Sequence, residues 1–123
     1  MVARSLVSVV DDDESIRESL PELVREFGYE VRACSSAEEF LASGYAEQTR
    51  CLLLDLAMPG MSGLDLQREL KHRNQAIPII FITASGDEST HQNVLGEGAV
   101  ACLVKPFSEA ALLQAINAAI LAS

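Results

Sequence analysis

The chain has 123 residues, of which 49% are hydrophobic, so it can bury a core, and we expect one domain over residues 1–123. Its net charge of −9 argues against direct binding of nucleic acid or an anionic membrane by this domain. No apolar run is long enough to span a membrane, and the first residues lack a signal-peptide pattern. The 3 cysteines include no CxxC pair, which favours a reduced, cytoplasmic chain.

Apolar segments of strand length alternate with helical patterns along the whole chain. The predicted strands cover residues 5–10, 29–33, 52–55, 78–83 and 100–104, and the predicted helices cover 14–27, 36–44, 62–73, a short segment ending near 96, and 109–121. This alternation with short connections predicts an α/β fold, a doubly wound five-stranded parallel sheet of order 2-1-3-4-5 flanked by five helices.

Several residues mark where these helices begin and end. Ser36 and Glu39 have the spacing of a capping box, and Ser62 can cap the third helix. Gly28 ends the first helix. Pro21 interrupts the first helical pattern, so we expect a kink there or a later start of the helix.

The central predicted strand ends on a carboxylate. The run from Leu52 to Leu54 is typical of a strand buried on both faces; it leads into Asp55, and Met58-Pro59-Gly60 then breaks regular structure. Open α/β sheets keep their ligand sites at the carboxyl ends of central strands. Taken alone, Asp55 is equally well explained as a solvated acid at the start of a loop.

Acidic, hydroxyl and basic residues stand at the ends of the neighbouring strands. The set is Asp11 and Asp12 after strand one, Asp55 at the end of strand three, Thr83 at the end of strand four and Lys105 after strand five. Strands one and three are neighbours in the predicted order, so three carboxylates converge in one crevice. Their mutual repulsion favours a divalent cation with oxygen ligands. Mg²⁺ fits best, because the cluster contains no His or Cys that would favour zinc.

A cation, an ammonium group and a hydroxyl donor around one carboxylate are what phosphoryl transfer onto an Asp requires. Each residue alone also has an ordinary explanation: a DDDE run is often a solvated loop, a Lys before Pro an exposed charge, and Thr83 a core threonine. Their joint placement at one edge of the sheet favours the site.

The segments VVDDDES, LLLDLAMPGMSG, IIFITA and LVKPF occur in the order and spacing of a known family. Over essentially its full length the chain resembles the receiver domain of bacterial two-component response regulators, and it is most similar to the FixJ type. The resemblance implies a phosphorelay domain that is not a conventional enzyme. Its phosphate donor would be a sensor histidine kinase, and its output an effector domain or target protein that controls transcription.

The resemblance also implies a role for each site residue. Asp55 would accept the phosphate, Thr83 would be the switch hydroxyl, and Lys105 would pair with the phosphoryl group. The peptide bond from Lys105 to Pro106 is expected to be cis. The implied protein ligands of Mg²⁺ are Asp11 (through water), Asp12, Asp55 and the backbone carbonyl of Ala57.

One position departs from the family pattern. Cys102 stands where the family usually has a Tyr or Phe whose rotation reports phosphorylation. We interpret Cys102 as filling a smaller gap in the core rather than as a redox sensor. The implied output surface is still helix four, strand five and helix five. The apolar last helix on this surface predicts weak homodimerisation that strengthens on phosphorylation. His91, on helix four, is predicted to be an exposed side chain.

The last helix is unusually apolar for a surface element, which supports a partner on this face. Its predicted core-facing residues are Leu112, Leu113, Ile116 and Ala119. Ile120 or Leu121 is then expected to lie partly outward.

Three other classes of protein are alternatives to this interpretation. A flavodoxin-like electron carrier needs neutral donors around a phosphate in its first loop, where DDDE would repel it. A phosphatase of the haloacid dehalogenase type needs a second acid two residues after the nucleophile, where this chain has Ala57. A receiver-like interaction module that switches without phosphorylation is the remaining alternative hypothesis, and Cys102 is the feature that favours it.

Overall fold

The structure, a computed structural model, describes residues 5–84 and 88–121, and the side chains of residues 88–91 lie outside this description. The strands are β1 (Leu6–Val10), β2 (Glu30–Cys34), β3 (Thr49–Asp55), β4 (Ile79–Thr83) and β5 (Ala101–Val104). The helices are α1 (Glu14–Glu26), α2 (Ala37–Ser43), α3 (Gly63–His72), α4 (Glu88–Gly96) and α5 (Glu109–Leu121). The strands form one parallel sheet in the order β2-β1-β3-β4-β5, so the predicted fold class and strand order are confirmed.

The central strands are apolar on both faces because helices cover both sides of the sheet. On one face, α2, α3 and α4 pack against a core that contains Phe40, Leu66 and Phe81. On the other face, α1 and α5 pack against a core that contains Leu20 and Leu112. Successive residues of a strand point to opposite faces, so the Leu run of β3 contributes to both cores.

Most of the residues predicted to begin or end a helix do so in the structure. α1 runs from Glu14 through the buried Pro21, so the later start did not occur. Gly28 follows this helix with a φ of 100°, a backbone conformation that favours glycine. At the start of α2, the Ser36 hydroxyl accepts the Glu39 amide, but the Glu39 carboxylate accepts the amide of Ser35, so the reciprocal bond of a capping box is displaced by one residue.

The apolar last helix is buried along one stripe. Leu112, Ile116 and Ala119 are buried as predicted, whereas Leu113 is only partly buried. Leu121 is 85% exposed, as the outward-facing position requires. Among the described residues, no helix is long and apolar enough to cross a membrane.

Candidate functional site at the carboxyl ends of the strands

Strand register places the predicted site residues side by side. In the register of β1 with β3, the last pair is Val10 with Leu54. Each of these residues is followed by an acid, Asp11 after Val10 and Asp55 after Leu54, and Asp55 is also the last residue of β3. Thr83 is the last residue of β4, and Lys105 follows the last residue of β5. Parallel strands end at the same edge of a sheet, so the register alone brings these four residues to one edge.

The three acids form one cluster. Asp11, Asp12 and Asp55 each offer a carboxylate oxygen, and these oxygens lie within 4.8 Å of one another. Asp11 is 1% exposed and Asp55 is 8% exposed, whereas Asp12 is exposed. The cluster therefore has a buried floor and a solvent-facing side through which a ligand can enter.

Local hydrogen bonds hold the acidic loop between β1 and α1. Oδ1 of Asp11 accepts the Asp13 amide at 2.9 Å, and Asp13 in turn caps α1 by accepting the Ser15 amide at 2.9 Å. Oδ2 of Asp11 lies 3.4 Å from Nζ of Lys105. The carboxylate of Asp11 is thus fixed by its own loop on one side and by the β5–α5 connection on the other.

The carboxyl group of Asp55 is perturbed by its surroundings. Its pKa is raised to about 7, chiefly by burial and then by the negative charge of Asp11 and a hydrogen bond with Asp12. Lys105 and the amide of Ala57, which donates to Oδ1 of Asp55 at 3.4 Å, oppose the rise in pKa. Burial and neighbouring negative charge thus disfavour the ionised form of Asp55, and a cation bound at the cluster would stabilise it.

The donor set fits Mg²⁺. Its ligating atoms are carboxylate oxygens, which hard cations prefer, and the exposed side leaves room for the waters that Mg²⁺ retains. Asp11, Asp12 and Asp55 could hold the ion, and the predicted fourth ligand, the carbonyl of Ala57, lies two residues past Asp55 at an exposed position after β3.

The remaining predicted residues take different positions. Thr83 is 6% exposed at the end of β4, on the same edge as the acids. The Lys105–Pro106 bond is cis, as predicted. Cys102, on β5, pairs with Phe81 of β4 and packs against the core, which agrees with its interpretation as a core residue; burial raises the pKa of its thiol. The side chain of His91 lies outside the described residues.

Arg17 contacts the site and was missed by the sequence analysis. Its Nη1 donates to the backbone carbonyl of Asp11 at 3.0 Å. A basic residue four positions after the helix cap Asp13 is a signal that points to it, because the first turn of α1 faces back toward the acidic loop.

A parallel sheet of order 2-1-3-4-5 with an acid cluster at its switch point defines a doubly wound α/β domain of the flavodoxin-like class. Comparison with known protein families makes the assignment specific. The family model of the response regulator receiver domain matches residues 7–117, and the chain therefore belongs to this family. The predicted family is confirmed.

Individual relatives agree with this assignment. Nodulation protein W of Bradyrhizobium diazoefficiens is 48% identical over 116 residues, which cover 94% of this chain and 51% of that protein. The structure of the response regulator StyR has a TM-score of 0.89 at 46% identity, covering 98% of this chain and 61% of that one. The structure of FixJ-N has a TM-score of 0.87 at 37% identity, covering 98% and 96%.

The similarity to FixJ-type receivers is thus confirmed. The chain spans about half the length of the curated relatives it matches, and some of these are named transcriptional regulatory proteins. Receiver domains bind Mg²⁺ at an acidic pocket and interact with histidine kinases and effector domains.

Proposed function

We propose that this receiver domain, comprising residues 1–123, accepts a phosphoryl group on Asp55 from a sensor histidine kinase and signals through α4, β5 and α5. The observation that carries the proposal is the convergence of the three acids within 4.8 Å, with the ammonium of Lys105 3.4 Å from Asp11. We place the domain in the cytoplasm, as its family and its 3 thiols favour.

The reacting atom is a carboxylate oxygen of Asp55. The amide of Ala57 orients the carboxyl group through Oδ1. An O–P bond to Asp55 forms while the P–N bond of a phosphohistidine breaks, and the imidazole leaves with the bonding electrons and takes up a proton. Attack requires the ionised carboxylate, so a pKa of about 7 leaves a substantial reactive fraction near neutral pH, and added positive charge increases it.

Charge neutralisation by the surrounding residues completes the mechanism. Asp11, Asp12, Asp55 and the carbonyl of Ala57 would hold Mg²⁺, which when bound neutralises the charge of the phosphoryl oxygens. Lys105 leaves Asp11 and pairs with a phosphoryl oxygen, as its flexible stem allows. The hydroxyl of Thr83 donates to the same group and draws the end of β4 toward it.

A groove along α1 suits the kinase. It has a volume of about 370 Å³ and lies between α1 and the β5–α5 connection, with a floor that includes Leu20 and Phe107. Glu22, Glu26 and Glu109 line its rim. The groove therefore favours a partner surface that is apolar at its centre and basic at its edge.

The output surface carries exposed apolar side chains. Leu95 on α4 is 44% exposed, Val100 beside β5 is 40% exposed, and Leu121 on α5 is 85% exposed. We infer that this surface controls an effector that acts on transcription and forms a homodimer that strengthens on phosphorylation. Shifting a two-state equilibrium between an inactive and an active form of the domain from 1:99 to 99:1 takes about 5.5 kcal/mol. Charge-assisted hydrogen bonds to the phosphoryl group, of about 1.5–3 kcal/mol each, can supply this free energy.

Mass spectrometry of the intact protein tests the phosphoacceptor. After incubation with acetyl phosphate and Mg²⁺, the wild-type chain should gain the mass of one phosphoryl group. Asp55→Asn should gain none, whereas Asp65→Asn, the same chemical change in the exposed first turn of α3, should gain it normally. A wild type that gains no mass would leave an interaction module that does not use phosphorylation. An Asp55→Asn variant that gains as much as wild type would assign the phosphoryl group to another residue.

Two further measurements test the partners. The double variant Glu22→Lys/Glu26→Lys should be phosphorylated normally by acetyl phosphate but slowly by a phosphorylated sensor kinase, because only the second donor needs the groove. Light scattering should show a larger mass in the presence of beryllofluoride, a phosphoryl mimic, and Leu95→Glu should reduce this increase. An unchanged mass in wild type would contradict the dimer.

A further inference from the structure

The main chain of the acidic loop is held by a side chain that the proposed chemistry does not use. Arg17 lies in the first turn of α1, and its Nη1 donates to the carbonyl oxygen of Asp11 at 3.0 Å in a partly buried contact. The carboxylate of Asp11 has other partners, the amide of Asp13 and the ammonium of Lys105. Arg17 therefore acts on the backbone of the cluster rather than on its carboxylates.

The carbonyl that Arg17 contacts belongs to the peptide group between two members of the acid cluster, Asp11 and Asp12. A peptide group is planar, so a hydrogen bond that fixes its oxygen also fixes the amide and Cα of the following residue. Asp12 is the exposed member of the cluster, and its carboxylate depends on this backbone direction for its place beside Asp55.

We propose that Arg17 is a positioning residue of the Mg²⁺ site, because its guanidinium holds the peptide group that orients Asp11 and Asp12. The inference rests on the proposed function, since it concerns the same site. Mg²⁺ demands near-ideal octahedral geometry, whereas Ca²⁺ accepts variable geometry. Loss of the positioning bond should therefore weaken binding of Mg²⁺ more than binding of Ca²⁺.

The charge of Arg17 and its positioning contact predict opposite changes in Mg²⁺ affinity when this residue is replaced. A guanidinium is always protonated, so purely as a charge it repels a divalent cation, and its removal would tighten Mg²⁺ binding. Removal of a positioning contact weakens Mg²⁺ binding instead. The sign of the change in affinity thus separates the two roles.

Isothermal titration of Mg²⁺ and Ca²⁺ into wild type, Arg17→Gln, Arg17→Lys and Arg25→Gln provides the test. Arg25 is exposed in the last turn of the same helix, so its variant loses the same charge away from the cluster. We expect Arg17→Gln to raise the Kd for Mg²⁺ about tenfold, as expected for loss of one charge-assisted hydrogen bond, and Arg25→Gln to stay within about twofold. Arg17→Lys keeps the charge on a shorter side chain without the guanidinium that carries Nη1, so this variant should also bind Mg²⁺ more weakly.

A measurement on the metal-free protein gives a readout that is independent of ion binding. The Asp13 amide donates to Asp11, so its hydrogen exchange in EDTA should accelerate in Arg17→Gln and not in Arg25→Gln. Equal or tighter Mg²⁺ binding by Arg17→Gln would overturn the inference and leave the proposed function intact. Absence of Mg²⁺ binding by wild type would overturn both. Should Arg17→Gln fail to fold, a wild-type affinity in Arg17→Lys would overturn the inference.

Discussion

Gly63, the first residue of α3, lies directly against the backbone of Asp55. A Cβ at Gly63 would stand 2.5 Å from the carbonyl oxygen of Asp55, 3.0 Å from Cα of Leu56 and 3.0 Å from the ring of Phe81. Two of these neighbours are backbone atoms that cannot turn away. Gly63→Ala should therefore lower the free energy of unfolding by about 1–3 kcal/mol, the usual cost of overpacking, and weaken Mg²⁺ binding by displacing Asp55.

The matched control is Gly96→Ala at the end of α4. A Cβ at Gly96 would meet no atom within 4 Å, and alanine favours helix over glycine by up to about 1 kcal/mol. Urea unfolding followed by circular dichroism should show this variant unchanged or stabilised. If Gly63→Ala behaved in the same way, the close approach of α3 to Asp55 would not be a constraint on the fold.

The raised pKa of Asp55 makes the stability of the metal-free protein depend on pH. Between about 4 and about 7 the folded protein keeps this proton while the unfolded chain has lost it, so unfolding releases a proton. Raising the pH through this window should therefore lower the melting temperature in EDTA. Mg²⁺ binds the ionised form, so it should restore the melting temperature most at the upper end of the window.

Asp55→Asn provides the control for this titration. The amide carries no charge at any pH, so the variant should lose the part of the slope that comes from Asp55 and much of its response to Mg²⁺. Melting curves at pH 5, 6, 7 and 8 in EDTA and in Mg²⁺ measure both effects. Identical pH profiles for the two proteins would show that the carboxyl group of Asp55 is not perturbed.

Most of the fold could be predicted because a strand that is buried on both faces of a sheet has an unbroken run of apolar residues in the sequence. The run Leu52 to Leu54 marks a central strand whatever its neighbours are. The beginning of that strand was missed, since Thr49 is polar and its burial depends on a hydroxyl contact with a distant residue, Ser8. Tyr29 was assigned to β2, but it lies just before this strand, and its hydroxyl donates to the side chain of Asn117 in α5.

The sequence predicts which acids meet at the candidate site, but not the pKa values or the packing contacts of the site. Parallel strands end at one edge, so acids at the ends of adjacent strands must be neighbours, and this locates Asp11 and Asp55 from sequence. The raised pKa of Asp55 follows from burial and from the distance to Asp11, which tertiary packing determines. The contact of Arg17 depends on which way a long side chain leaves α1, and Gly63 depends on how closely α3 approaches β3.

The three thiols should differ in reactivity because they differ in burial. Burial raises the pKa of Cys51 to about 12, and burial together with Glu39 raises the pKa of Cys34 to about 11. Both side chains are almost fully inaccessible, whereas Cys102 is partly exposed. At pH 8 a disulfide reagent should therefore modify Cys102 first, and Cys51 only as the protein unfolds.

Mass spectrometry of the modified protein assigns each step to a thiol. Cys102→Ser should abolish the early phase and leave the slower phases unchanged. Modification of Cys51 as rapid as that of Cys102 would contradict the burial of β3, and an early phase that survives in Cys102→Ser would assign it to another residue.

Ser8 and Thr49 form a buried hydroxyl pair between β1 and β3 whose two members should not be equivalent. Their oxygens are 2.7 Å apart, and Thr49 also donates to the carbonyl of Tyr45 at 2.7 Å, so the proton between the pair must come from Ser8. Ser8→Ala removes that donor at a cost of about 1 kcal/mol. Thr49→Val leaves the Ser8 hydroxyl buried without an acceptor, which should cost about 1–3 kcal/mol.

A double-mutant cycle in urea unfolding measures this asymmetry. The variant Ser8→Ala/Thr49→Val has neither hydroxyl left to satisfy, so its loss of stability should be smaller than the sum of the two single losses. Strictly additive losses would mean that the two hydroxyls do not interact, and a larger loss for Ser8→Ala would reverse the direction of the hydrogen bond. Because the pair lies within the sheet, away from the acid cluster, the affinity for Mg²⁺ should remain that of the wild type in all three variants.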